Sequence, residues 1–241
     1  MKNMKKIYIV GAGPGDPGLI TVKGRELLEK ADLLIYAGSL VNPELVELSS
    51  ATEKYDSWGM KLSEMVDLMA EAVNAGKTVV RLHSGDPALY GAIVEQVALL
   101  EKRGITAERV PGVSSMFGAA AALGTQFTLR GVSESVIITR PAGQTLESDQ
   151  IKEMSRLGTT MVVFLGTGQM EEVLSKVEYP PETPAAVVCR ATWPDEIVVR
   201  GTVADIAEKA RAAGIEKTAL IIIGNVVDAS EASFTNSDLY G

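Results

Sequence analysis

The stretch Lys6-Ile7-Tyr8-Ile9-Val10-Gly11-Ala12-Gly13-Pro14-Gly15-Asp16-Pro17-Gly18-Leu19 runs a short apolar segment straight into a glycine-rich turn. The same G-D-P-x-L string returns at Gly85-Asp86-Pro87-Ala88-Leu89, again behind an apolar run, Thr78-Val79-Val80-Arg81-Leu82. Asp directly before Pro suits a helix start, because the carboxylate can accept free amide hydrogens of the first turn and Pro tolerates the first helical position. Asp16 and Asp86 are therefore expected to cap helices, each contributing about 1 kcal/mol. Glycine beside such a turn also lets a ligand approach bare backbone at the carboxyl end of a parallel strand. Both readings stay open at this point.

Outward from these turns, short β-branched runs alternate with longer amphipathic stretches. Residues 6–10, 32–36, 77–82 and 106–110 read as buried strands, with helices at Leu62 to Asn74 and Tyr90 to Lys102 stopped by Gly76 and Gly104. That alternation predicts a mostly parallel sheet covered by helices. Val110-Pro111-Gly112-Val113 punctuates the chain before an alanine-rich helix from Ser114 to Leu123, and the domain change is placed there. The expected division is an N-terminal α/β domain over 1–112, a C-terminal α/β domain over 113–228 and a polar tail over 229–241. In the second half, Glu134 to Thr139, Thr160 to Leu165, Ala185 to Arg190, Glu196 to Arg200 and Ala219 to Ile223 are strand candidates. One helix, Val203 to Ala212, precedes the last strand, and the turn at Trp193-Pro194-Asp195 suits a hairpin, so this sheet is expected to be mixed.

The first glycine loop invites comparison with the dinucleotide fingerprint G-x-G-x-x-G, but its third glycine position holds Asp16. An acid there would repel a pyrophosphate, which disfavours a nucleotide-dependent oxidoreductase and suits a ligand with a positive centre. The 241 residues are 46% hydrophobic and 22% charged, as in an ordinary globular chain, and a net charge of -8 argues against broad nucleic-acid binding. The strand after Met1-Lys2-Asn3-Met4-Lys5-Lys6 is too short for a signal-peptide core and no apolar run approaches a membrane span, so a cytoplasmic location is expected. A single cysteine, Cys189, and a single histidine, His83, leave too few soft ligands for a structural metal site. Cys189 reads as strand packing, Met60, Met65 and Met69 as core filling, and His83 as a hydrogen-bonded loop residue rather than a proton-transfer group. Trp58 and Trp193 are flat surfaces for stacking on a ligand or for packing.

Four strings together carry a family resemblance: Gly11-Ala12-Gly13-Pro14-Gly15-Asp16-Pro17-Gly18-Leu19, Arg81-Leu82-His83-Ser84-Gly85-Asp86-Pro87-Ala88-Leu89, Val110-Pro111-Gly112-Val113-Ser114-Ser115 and Thr160-Met161-Val162-Val163-Phe164-Leu165-Gly166. In order and spacing they resemble the tetrapyrrole methylases, which use S-adenosylmethionine, over the chain up to about residue 227. Tyr36-Ala37-Gly38-Ser39-Leu40-Val41-Asn42-Pro43 further resembles the branch that methylates carbon 11 of precorrin-4 or cobalt-precorrin-4 on the way to cobalamin. Members that methylate uroporphyrinogen carry an acid after the tyrosine of the second strand, where this chain has Ala37-Gly38. The resemblance implies two α/β domains with the cofactor in the cleft between them, a homodimer, and a tetrapyrrole as the small-molecule substrate. It also implies cofactor contacts at Pro14, Ser84, Gly85, Asp86, Leu89, Ser114, Ser115, Leu165, Ala191 and Ala219.

A sulfonium methyl is already activated and an enamine-like ring carbon is a competent nucleophile, so positioning and exclusion of water can supply most of the rate. No catalytic side chain is assigned. The carboxylates of a tetrapyrrole call for Arg and Lys, for which Lys61, Arg130, Arg140 and Arg190 are the candidates. A different ring carbon, a ribosomal RNA or modified-histidine methylase on the same fold, and a non-catalytic binding protein are the alternatives. The acidic balance and the Tyr36 to Pro43 string count against the RNA and histidine readings.

Overall fold

A computed structural model describes residues 5–230 and 235. The chain divides into two units, Met1–Ser115 and Met116–Gly241. Most of the expected tail from residue 229 lies outside the described residues.

The first unit is built on β1 (Lys6–Gly11), β2 (Leu33–Tyr36), β3 (Glu53–Asp56), β4 (Val79–His83) and β5 (Thr106–Val110). They form one sheet in the order β3-β2-β4-β1-β5 with every pairing parallel. Parallel strands need covered crossovers, supplied by α1 (Val22–Leu28), α2 (Pro43–Leu48), α3 (Leu62–Asn74) and α4 (Ile93–Glu101). Period-two alternation divides the strand residues between two cores. Ile7, Ile9, Leu33, Ile35 and Val79 pack against α3 and α4 through Met65, Met69, Val97 and Leu100. Val10, Leu34, Val80 and Leu82 face Leu28 of α1 and Leu45 of α2 on the other side. Met60 packs on the first of these cores, so the methionines fill space as expected. The strand β3 was not anticipated, because its sequence Glu53-Lys54-Tyr55-Asp56 is polar, as an edge strand can be.

The second unit has α5 (Ser115–Leu123) at its start, then β6 (Val136–Thr139), α6 (Ile151–Ser155), β7 (Thr160–Val163), α7 (Met170–Lys176), β8 (Pro184–Cys189), β9 (Ile197–Thr202), α8 (Ile206–Ala212) and β10 (Ala219–Ile223). Its sheet runs β6-β7-β10-β8-β9, parallel only between β6 and β7. The mixed sheet and the β8-β9 hairpin agree with the sequence reading. Cys189 belongs to the core with Val187, Ile206 and Ile221, which bears out its packing role.

Two local expectations are corrected. Asp16 does accept from Gly18 N at 2.7 Å, but what it caps is a single 3-10 turn, Pro17–Leu19; α1 begins later, behind its own cap Thr21. The helix expected from Tyr90 begins at Ile93, because Tyr90 and Ala92 take positive φ values of 53° and 48°.

Burial also sets an alkaline limit in the second unit. Tyr179 donates to Thr159 O at 2.6 Å, and burial pushes its hydroxyl up to about 12. A tyrosine whose folded pKa exceeds its unfolded value stabilises the fold below pH 10, and this contribution disappears as pH rises toward 12. Urea midpoints at pH 9 and pH 11 are expected to fall further apart in the wild type than in Tyr179→Phe, by about 1–2 kcal/mol.

Candidate functional site

Three strand ends of the first unit meet at glycine backbone. β1 lies between β4 and β5, so the turns leaving their carboxyl ends must share one place. Gly85 N donates to Gly13 O at 2.9 Å and Gly13 N returns the bond to Gly85 O at 3.2 Å, while Ala12 N donates to His83 O at 2.7 Å. Gly112, from the turn after β5, sits so close that a Cβ on it would lie 2.3 Å from Gly85 O and 2.7 Å from Gly11 Cα. No side chain fits there. Gly13 at φ +82° and Gly85 at φ +60° also occupy the left-handed region that glycine adopts at least cost.

Asp86 closes the arrangement. One carboxylate oxygen accepts from Ala88 N at 2.7 Å, shaping its own turn, and the other accepts from Gly112 N at 2.8 Å, tying the G-D-P turn to the P-G-V turn. The repeated motif is thus unequal: Asp16 caps a turn, whereas Asp86 crosslinks two. Asn42, inside the Tyr36 to Pro43 string, caps α2 through Glu44 N and donates to Gly15 O at 3.0 Å, fastening the first loop from behind.

Of the expected cofactor residues, Pro14, Ser84, Gly85, Asp86, Leu89, Ser114 and Ser115 all belong to these loops of the first unit. Pro14, Gly85 and Ser114 are buried; Ser84, Asp86, Leu89 and Ser115 are half-buried. Gly85 lies beside Ser114 and Ser115, with which the first unit ends; an added Cβ would be 3.6 Å from Ser114 Cα and 3.5 Å from Ser115 N. Among the described residues the Ser84 hydroxyl has no hydrogen-bond partner.

Leu165, Ala191 and Ala219 belong to the second unit and gather at one end of its sheet. The strand β10 runs antiparallel to β7 and β8, pairing Ile221 with Val163 and Ala219 with Cys189, so the exits of β7 and β8 adjoin the entry of β10. Among the described residues of this unit, every non-glycine with positive φ is at this end: Leu165 at 56°, Arg190 at 50°, Thr192 at 68° and Thr218 at 57°. Such residues cost roughly 1–3 kcal/mol each and concentrate where geometry serves function. Arg190 N bonds Thr218 O at 3.0 Å, and the Thr167 hydroxyl donates to Ala219 O at 3.0 Å. Leu165 stays 62% exposed, an apolar side chain held outward at an energetic cost.

The expected substrate cations part company. Arg190 is paired with Asp195 at 2.8 Å and lies over the Trp193 ring at 4.0 Å, and Arg140 is occupied by Thr145. Lys61 is exposed with no ion pair among the described residues, and Arg130 is exposed on the loop before β6. Trp58 is 88% exposed. A cation overlooked in the sequence is Arg109. It lines a cavity of about 590 Å³ in the first unit with Asp86, Pro87, Tyr90, Val94, Glu95 and Pro111, and has no ion pair among the described residues. Its position at the end of an ordinary-looking strand gave no sign of this; the adjacent P-G-V turn was the available signal.

A parallel five-stranded sheet followed by a mixed five-stranded sheet is the architecture of a class of methyltransferases, and the comparisons bear this out. The chain belongs to the Tetrapyrrole (Corrin/Porphyrin) Methylases, whose family model matches residues 6–207. It is 51% identical over 234 residues to the cobalt-precorrin-4 C(11)-methyltransferase of Methanocaldococcus jannaschii, covering 95% of this chain and 90% of that one. The X-ray structure of a cobalt precorrin-4 methyltransferase, CbiF, superposes with a TM-score of 0.90 at 43% identity, over 94% of this chain and 97% of that one. A uroporphyrin-III C-methyltransferase from Thermus thermophilus, complexed with S-adenosyl homocysteine, matches with a TM-score of 0.78 at 31% identity, over 92% and 98% of the two chains.

The glycine contact separates two kinds of substitution. Gly112→Ala is expected to cost about 3 kcal/mol or more, because backbone on both sides has nowhere to go. Gly104→Ala, with φ +71° and open space around it, should cost only about 1 kcal/mol in urea denaturation. Equal losses would remove the laced backbone from the argument.

Proposed function

We propose that this chain transfers a methyl group from S-adenosylmethionine to carbon 11 of precorrin-4 or cobalt-precorrin-4, in cobalamin biosynthesis. The observation that carries this reading is the backbone cluster at Gly11, Gly13, Gly85 and Gly112, in a chain half identical to a cobalt-precorrin-4 C(11)-methyltransferase. The cofactor fits what is present. Gly85 and Gly112 leave bare main chain, Ser84 keeps a free hydroxyl, and the exposed carboxylate of Asp16 attracts a sulfonium and repels a pyrophosphate. The dinucleotide alternative also lacks its usual support, since α1 starts behind Thr21 rather than at the glycine loop.

When bound, S-adenosylmethionine supplies a methyl group already activated by positive sulfur. The residues at Ser84, Gly85 and Asp86 of the first unit, and at Leu165, Ala191 and Ala219 of the second, are proposed to hold it by main-chain contacts. The new bond joins the ring carbon to the methyl carbon, the carbon-sulfur pair stays on sulfur as S-adenosylhomocysteine, and one proton leaves the macrocycle. Pro14, Leu89, Ser114 and Ser115 belong to the same proposed set. Arg109, at the cavity, and the exposed Lys61 are proposed in the first unit to meet substrate carboxylates, with Arg130 a candidate in the second.

No helix among the described residues is long and apolar enough to cross a membrane, and no group of three metal-ligating side chains occurs among them. A homodimer, implied by the family resemblance, and the cytoplasmic location expected from the sequence are part of the same proposal.

Methyl-labelled S-adenosylmethionine supplied with precorrin-4 and, separately, cobalt-precorrin-4 is expected to place label at carbon 11 by NMR; label at another ring carbon sinks the assignment. Arg109→Ala is expected to raise the tetrapyrrole KM about ten-fold, the loss of roughly 1.4 kcal/mol. S-adenosylhomocysteine affinity should not change in that variant.

A further inference from the structure

His83 closes β4 and is the only histidine in the chain. Its carbonyl accepts from Ala12 N, and its ring Nδ1 lies 2.7 Å from Ser84 O. A carbonyl can only accept, so Nδ1 carries the proton and Nε2 of the neutral ring is a bare lone pair. Among the described residues Nε2 has no hydrogen-bond partner. Instead it faces Gly91, where a Cβ would lie 2.9 Å from Nε2, 2.7 Å from Pro87 O and 2.9 Å from Ile93 Cγ1. The two neighbours that bring Gly91 down onto the ring, Tyr90 and Ala92, are both left-handed non-glycines.

We propose that His83 is a positioning residue: its neutral ring holds the Ser84 carbonyl, and with it the Ser84-Gly85-Asp86 backbone, so that gaining a proton at Nε2 and gaining S-adenosylmethionine oppose one another. This rests on the cofactor reading above. A new N–H at Nε2 would be directed at the close-packed backbone of Pro87 and Gly91. A ring that turns to seek another acceptor releases Ser84 O, and a turn 87–92 that lifts to make room carries Leu89 with it. The charged groups around the ring are the buried Arg81, two residues back on the same face of β4, and Asp86 in the loop; α4 contributes only the apolar Ile93. Burial chiefly, and Arg81 after it, push the imidazole below its ordinary 6.5, with the Ser84 carbonyl and Asp86 pulling the other way. A depressed folded pKa means that stability tied to the neutral ring is complete above pH 6.5 and is lost as pH falls below it. Linkage makes the effect reciprocal: a ligand that prefers the neutral ring lowers its pKa by as much as protonation weakens the ligand.

The test uses S-adenosylhomocysteine as probe. In wild type its Kd by calorimetry is expected to rise about ten-fold from pH 8 to pH 5. His83→Asn keeps an amide N–H for Ser84 O and has no proton to gain, so it should bind near wild-type strength at pH 8 with a flat profile. His83→Leu should bind more weakly at every pH. The single imidazole also gives one assignable NMR signal, whose titration midpoint in the wild type should fall further when the probe is added. A flat wild-type profile, an Asn variant with the wild-type slope, or a midpoint unmoved by the probe overturns the proposal. Absence of any binding by wild type at pH 8 overturns the cofactor reading itself.

Discussion

The first unit depends on one steric constraint, the meeting of Gly11, Gly85 and Gly112 at the carboxyl edge of three adjacent parallel strands. Close-packed interiors leave no slack for a methyl group, and here the atoms in contact are backbone, which cannot rotate away. Because β1 sits between β4 and β5, its exit turn is pressed by both neighbours. Glycine is then required by space at Gly112 and favoured by dihedral angle at Gly13. The two-way hydrogen bond between Gly13 and Gly85 and the Asp86 link to Gly112 N turn that contact into a fixed platform.

The second unit solves a similar problem by different means. Where the first removes side chains, the second forces Leu165, Arg190, Thr192 and Thr218 into left-handed backbone at one end of its sheet. The hairpin and the neighbouring antiparallel strand over-determine these residues, which is what lets such strain persist. One consequence falls on Arg190. Its backbone geometry, ion pair with Asp195 and stacking on Trp193 make it part of the loop's own structure. Arg109, by contrast, lines the cavity of the first unit and has no ion pair among the described residues.

Charge around the G-D-P turn is arranged to be compatible with a cation. Asp16 is exposed at the first loop, His83 is kept neutral by burial, and the positive Arg81 spends its hydrogen bonds on the carbonyls of Leu82 and Ile35 inside the sheet. Burial draws the guanidinium down only to about 10, so it stays charged at neutral pH. That charge is one reason a second cation at His83 is disfavoured.

Much of this was legible in the chain itself, for local reasons. Alternation of β-branched runs with amphipathic stretches gave a parallel first sheet, the Trp193-Pro194-Asp195 turn gave a hairpin and a mixed second sheet, and Leu62 to Asn74 was bounded correctly by its own periodicity and Gly76. Asp16 in place of a third glycine already spoke against a pyrophosphate, since repulsion between like charges needs no tertiary context. Other features depended on which distant residues touch. Asp86 reads the same as Asp16 in sequence, and only the approach of Gly112 gives its second oxygen a partner. Tyr90 and Ala92 look like the first turn of a helix, yet both are left-handed where Gly91 comes close to Pro87, His83 and Ile93. Arg109 looks like any strand-end cation until the cavity beside it appears, and Arg190 looks free until Asp195 and Trp193 fold onto it. Local sequence states what backbone a residue prefers and what charge it carries; which atoms lie against it is decided when strands far apart in the chain are brought side by side.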